Sequence, residues 1–161
     1  MSDPPLLWRF TPNRNDPDTL RAIFVQRHAL VEDTVERIRE SALTGNKHQI
    51  LFVGPRGIGK THLVTLVQNR VAGDSQLQDR LRIAWLHKDE TTTSLLDLLL
   101  RILRALSAAH PAEFPAEVLE PLYALDVTNA RHRAIRLLVE RLAGRTLLVI
   151  VENLAALFAG L

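Results

Sequence analysis

Between Ala29 and Leu43 the apolar residues Leu30, Val31, Val35, Ile38 and Ala42 recur at helical spacing, with Asp33, Glu36, Arg37 and Glu40 on the polar side. This predicts a helix stopped by Gly45. A shorter helix is predicted over 17–23, with Asp16 as cap and Pro17 at the first helical position. The period then changes. Gln49 to Val53 (QILFV) is a short apolar run with β-branched and aromatic residues and predicts a buried strand. Lys60 to Ala72 returns to the helical period, with Leu63, Val64, Val67 and Val71 on one face and Gly73 at its end. Arg82 to His87 (RIAWLH) predicts a second strand, and Thr93 to Ala109 a long amphipathic helix. Pro111, Pro115 and Pro121 punctuate a loop with one short helix over 116–123. Thr128-Asn129 is expected to cap a helix running to Ala143, stopped by Gly144. Thr146 to Val151 (TLLVIV) predicts a third strand, and a further helix starts at Leu154.

Strands alternate with helices, and each strand is apolar throughout. That pattern predicts an α/β fold with a parallel sheet covered on both faces. Residues 1–19, with Pro4, Pro5, Pro12 and Pro17, read as an extended N-terminal arm whose Leu6, Leu7, Trp8 and Phe10 pack on the body. Residues 20–161 read as one domain, which suits a chain of 161 residues. The net charge of +2 gives no electrostatic reason to expect nucleic acid or an anionic membrane as partner. The absence of cysteine excludes disulfides, thiolate zinc sites and cysteine nucleophiles, and fits a reducing compartment. No apolar run approaches the roughly 18 residues of a membrane span. The acidic, Pro-rich start is not a secretory signal. A cytoplasmic protein is expected.

Between the first predicted strand and its helix stands Gly54-Pro55-Arg56-Gly57-Ile58-Gly59-Lys60-Thr61, a full match to the phosphate-loop pattern G-x-x-x-x-G-K-[ST]. The glycines allow torsions that turn successive N–H groups inward as an anion nest. The helix that follows points its positive dipole end at the same place. Lys60 is expected to reach the β- and γ-phosphates of ATP, and Thr61 to ligate Mg²⁺. His62 belongs to this nucleotide-binding stretch by position and reads as a packing or surface residue, not a catalyst.

A second motif is Leu147-Leu148-Val149-Ile150-Val151-Glu152-Asn153, a buried apolar strand ending in an acid. An acid there holds the magnesium and its water shell at the carboxyl end of the strand, where α/β sheets bind ligands. Glu152 is therefore the expected metal carboxylate. Asn153 stands where a hydrolysing ATPase places its catalytic acid. An amide can orient a water but cannot accept its proton.

Together, Val25-Gln26-Arg27, the helix after it, GPRGIGKT and LLVIVEN resemble an AAA+ P-loop ATPase of the bacterial and archaeal group similar to origin-recognition and STAND-type ATPases. The resemblance covers roughly residues 20–155. It implies a three-layer P-loop NTPase fold, with Val25 and Arg27 bordering the adenine pocket. Gln26 and His28 replace the glycine and glutamate of the family's stretch at that place. In the family, a strand carrying a sensor residue lies between the phosphate-loop strand and the acidic strand. Nothing in this chain corresponds to that strand, to the strand after it, to the arginine finger or to the helical lid. The resemblance thus implies an incomplete nucleotide-binding domain: the N-terminal part of a longer ATPase, a truncated product, or half of a split or homo-oligomeric assembly.

Three functions follow as expectations. One is Mg²⁺-dependent ATP binding, with hydrolysis in a longer or assembled form. The alternative is a nucleotide-binding regulator or scaffold with little hydrolysis, which Asn153 favours. A small-molecule P-loop kinase ranks third, since Arg101, Arg104, Arg131, Arg133 and Arg136 read as solvated helix faces. The six histidines show no H-x-x-x-H or H-E-x-x-H spacing, so a metal site built on them is not expected. No G-x-S-x-G or guanine-recognition N-K-x-D occurs. His87-Lys88-Asp89-Glu90 reads as a solvated charge run, and Phe52, Trp85 and Phe158 as core.

Overall fold

The computed structural model describes residues 17–54, 57–87 and 92–159. Leu6, Leu7, Trp8, Phe10, Pro55, Arg56 and the run 88–90 lie outside the described residues, as does the side chain of Phe158. The chain divides into two compact units, Met1–Leu77 and Gln78–Leu161.

In the first unit, helix α1 spans Pro17–Thr44. The two helices expected over 17–23 and 29–43 are thus one. No glycine or proline interrupts residues 18–44, and the intervening Gln26, Arg27 and His28 tolerate a helix. Gly45 ends it at φ +79, with its N–H donating to the Ser41 carbonyl at 3.0 Å. A left-handed residue there is easiest for glycine. Helix α2, Lys60–Ala72, buries Leu63, Val67 and Val71, and α1 packs against it while burying Val31, Val35 and Ile38. Leu30, expected on that face, is exposed; Thr34 is buried there, its hydroxyl donating to the Leu30 carbonyl at 2.7 Å. Arg39 bridges to Asp74 at 2.7 Å and Arg70 pairs with Glu32, so ion pairs flank the apolar seam. The Arg39 hydrogen bond also holds the Asp74 carboxyl below its ordinary range.

The strand expected over 49–53 does not form. Residues 45–54 have no regular structure, with Leu51 66% and Val53 85% exposed. A strand needs a partner for its N–H and C=O groups. Among the described residues the one strand ladder joins two other segments.

Those segments are β1, Leu81–Leu86, and β2, Thr146–Val151, in the second unit. They pair in parallel, from Leu81 opposite Thr146 to Leu86 opposite Val151. The chain is therefore α/β in character, with a two-stranded parallel sheet. Helices α3 (Leu95–Ala109), α4 (Ala116–Leu119), a 3-10 turn (Glu120–Ala124) and α5 (Val127–Leu142) connect the strands, and α6 (Leu154–Ala159) follows. Ser94 caps α3 by accepting from the Asp97 N–H, while Asp97 accepts from the Thr93 N–H, each at 3.1 Å. This is a reciprocal capping arrangement. The cap of α5 is Asp126, not Thr128-Asn129: its carboxylate accepts from both of those N–H groups at 3.1 Å.

Alternation along the strands divides the sheet into two faces. Ala84 and Leu86 join Leu103, Leu106, Phe114, Leu122 and Ala134 in a buried cluster, with Val149 and Val151 packed against it. The other face, with Ile83, Trp85, Leu148 and Ile150, is half-buried. No helix among the described residues is long and apolar enough to cross a membrane.

At the start of β1, Arg82 is buried. Its guanidinium donates to the Leu81 carbonyl at 2.8 Å and grips Glu113 with two N–H groups, one at 2.6 Å. These bonds hold the Glu113 carboxyl below its ordinary range. Burial foremost, then the Arg82 charge, holds the His110 imidazole low as well. In acid the folded form therefore binds fewer protons than the unfolded form. Stability should be full above about pH 6.5, decline below it through His110, and decline further below about pH 4.3 through Glu113. Thermal melts across that range check the sign; a melting temperature that rises on acidification contradicts it.

Candidate functional site

The phosphate-loop motif leads into α2. Gly57 and Gly59 sit at φ +84 and +91, where a side chain is strained. A β-carbon on Gly54 would meet the Ile58 side chain at 3.2 Å, and one on Gly59 would meet the Arg27 guanidinium at 3.3 Å. Three of the motif's glycines therefore answer to torsion or close approach. Lys60 Nζ donates to the Gly54 carbonyl at 2.6 Å, so the ammonium folds back over the loop that precedes it. Gly59 is the N-cap of α2 and offers no side-chain acceptor to the first-turn N–H groups. Such a helix end, with uncapped donors and a cation beside it, suits an anion.

Arg27 lies on α1 and donates to the Ile58 carbonyl, which ties that helix to the loop. Sequence reasoning placed Arg27 beside the adenine; its contact here is with the loop backbone. Val25 is exposed on the same helix, and Thr61 and His62 are exposed on α2.

In the second unit, Glu152 stands just past β2, its N–H donating to the Leu86 carbonyl at 3.1 Å and so extending the ladder by one residue. That register sets Glu152 on the face of Trp85 and His87. Glu152 Oε1 accepts from the Trp85 indole N–H at 2.9 Å and lies 4.0 Å from His87 Nδ1. The Trp85 and His87 rings stack, with centroids 5.8 Å apart. Trp85 is thus not a core residue: it is half-buried and its polar edge is used. The signal in the sequence was the spacing of two rings, Trp85 and His87, at i and i+2 on a strand, which puts both on one face.

Asn153 is exposed and takes φ +57 between β2 and α6. Asparagine tolerates this left-handed turn better than most residues. Its amide side chain thus suits the turn that launches α6, whatever it does to a water. Asn153→Gly should leave stability within a few tenths of a kcal/mol, and Asn153→Val should cost about 1–2 kcal/mol. Equal melting curves for the two variants would refute the turn's role.

Thr61 belongs to the first unit and Glu152 to the second. Among the described residues no three His, Asp or Glu side chains gather as a metal-binding group. No known protein family, curated protein or solved structure matches the chain.

Proposed function

We propose that this protein binds ATP with Mg²⁺ through residues 54–61 and is a nucleotide-binding regulator or scaffold in which hydrolysis is slow. The observation that carries this reading is the loop itself. A complete G-x-x-x-x-G-K-T motif has two left-handed glycines, a lysine folded across it and a helix end without a side-chain cap. These donors fit a polyphosphate. Lys60 would exchange the Gly54 carbonyl for phosphate oxygens, and the backbone N–H groups of the loop and first helical turn would hold the rest. Thr61 supplies a hydroxyl for the cation and Glu152 a carboxylate; the bound Mg²⁺ would neutralise phosphate charge. Asn153 favours the regulator over the hydrolase, because no carboxylate follows Glu152 to take a proton from water. The cysteine-free composition supports a cytoplasmic location.

The test is calorimetric titration of the protein with ATP, with and without Mg²⁺, beside a phosphate-release assay. Saturable binding that tightens with Mg²⁺, with phosphate release near background, is the expected result. No binding at millimolar ATP would refute the reading, and steady turnover would refute its regulator half.

A further inference from the structure

We propose that Trp85 is the positioning residue for the Glu152 carboxylate, an inference that rests on the reading of Glu152 as the magnesium-side acid. The indole N–H is a donor only. At 2.9 Å from Oε1 it sets the plane of the carboxylate and assigns Oε2 to the cation. The neutral donor matters. An arginine or lysine in that place would orient the acid equally well but cancel the charge that attracts Mg²⁺. The indole orients without neutralising.

Three features of the second unit hold the indole in place. Trp85 sits within β1, paired opposite Ile150, so its backbone is fixed relative to the strand that ends in Glu152. The Glu152 N–H bond to Leu86 carries this register through the acid itself. The His87 ring, stacked on Trp85 at an interplanar angle of 17°, braces the indole from the next position on the same face. A carboxylate at a strand end without such support would sample several rotamers. Outer partners that orient a metal-binding carboxylate typically matter by about 10–100-fold in metal affinity.

The experiment uses the full chain in a Trp8→Phe background, which leaves Trp85 as the single indole. Mg²⁺ is titrated into ATP-saturated protein. Trp85→Phe keeps a ring to stack on His87 and removes the donor. The expected result is a Mg²⁺ half-saturation raised about tenfold or more, with affinity for metal-free ATP unchanged. Both results differ from those of a merely structural residue, whose loss would lower both affinities or neither. A half-saturation within twofold of the parent's, at an unchanged melting temperature, overturns the inference alone. A parent protein that shows no Mg²⁺-dependent step overturns the reading of Glu152 and the inference with it. Should Trp85→Phe lose its cooperative melt, the indole of the parent decides. Its emission should change when Mg²⁺ joins ATP, and that change should vanish in Glu152→Gln. An unchanging emission overturns the inference.

Discussion

Glu113→Ala is expected to destabilise the second unit by about 3–5 kcal/mol. The cost comes from what is left behind. Arg82 is 6% exposed, and without Glu113 its guanidinium keeps only the backbone carbonyls of Gln78 and Leu81 among its named partners. A buried, uncompensated charge is far more costly than the loss of one hydrogen bond. Arg145, whose guanidinium lies 3.7 Å from Glu113, adds a second cation without its anion. Replacing both members, Arg82→Met with Glu113→Leu, should recover most of the loss, since an apolar pair of similar volume needs no hydrogen bonds. Urea denaturation of the two single variants and the double variant gives the coupling directly. Additive losses would show that the pair is not the unit of stability at that end of β1.

Lys60→Ala should weaken ATP binding by about 10–150-fold, the equivalent of roughly 1.5–3 kcal/mol for hydrogen bonds to a charged group. The effect should fall on affinity and not on fold. Lys60 begins α2, alanine is the best helix former, and the apolar face of that helix is carried by Leu63, Val67 and Val71. The lost contact in the free protein is a single bond to the Gly54 carbonyl. Lys60→Arg should restore little, because a planar fork on a longer stem cannot take the same point-charge position over the loop. Calorimetry with Mg²⁺·ATP measures the change, and a thermal melt controls for folding. Unchanged affinity in Lys60→Ala would remove the phosphate loop from the site.

The helices were legible because their signals are local. The 3.6-residue period identified the buried faces of α1 and α2 at Val31, Val35, Ile38, Leu63, Val67 and Val71. Misplaced boundaries have local causes too. Asp126 caps α5 ahead of Thr128 and Asn129 because its carboxylate reaches both N–H groups at once, and any of the three residues is a plausible cap in sequence. The phosphate-loop glycines were also legible, since a torsion at Gly57 or Gly59 belongs to the residue itself.

Strand pairing is different. QILFV and TLLVIV look alike as apolar runs, yet only the second is a strand, because only it finds a partner ladder. The sequence by itself determined the helix faces, the glycine-lysine loop and an acid at the end of an apolar run. The tertiary structure alone decided that Trp85 meets Glu152 across 67 residues of chain, and that Arg27 and Arg82 are tied to Ile58 and Glu113. The physical reason is that a period tells which way a side chain faces, whereas a register between distant strands decides what it faces.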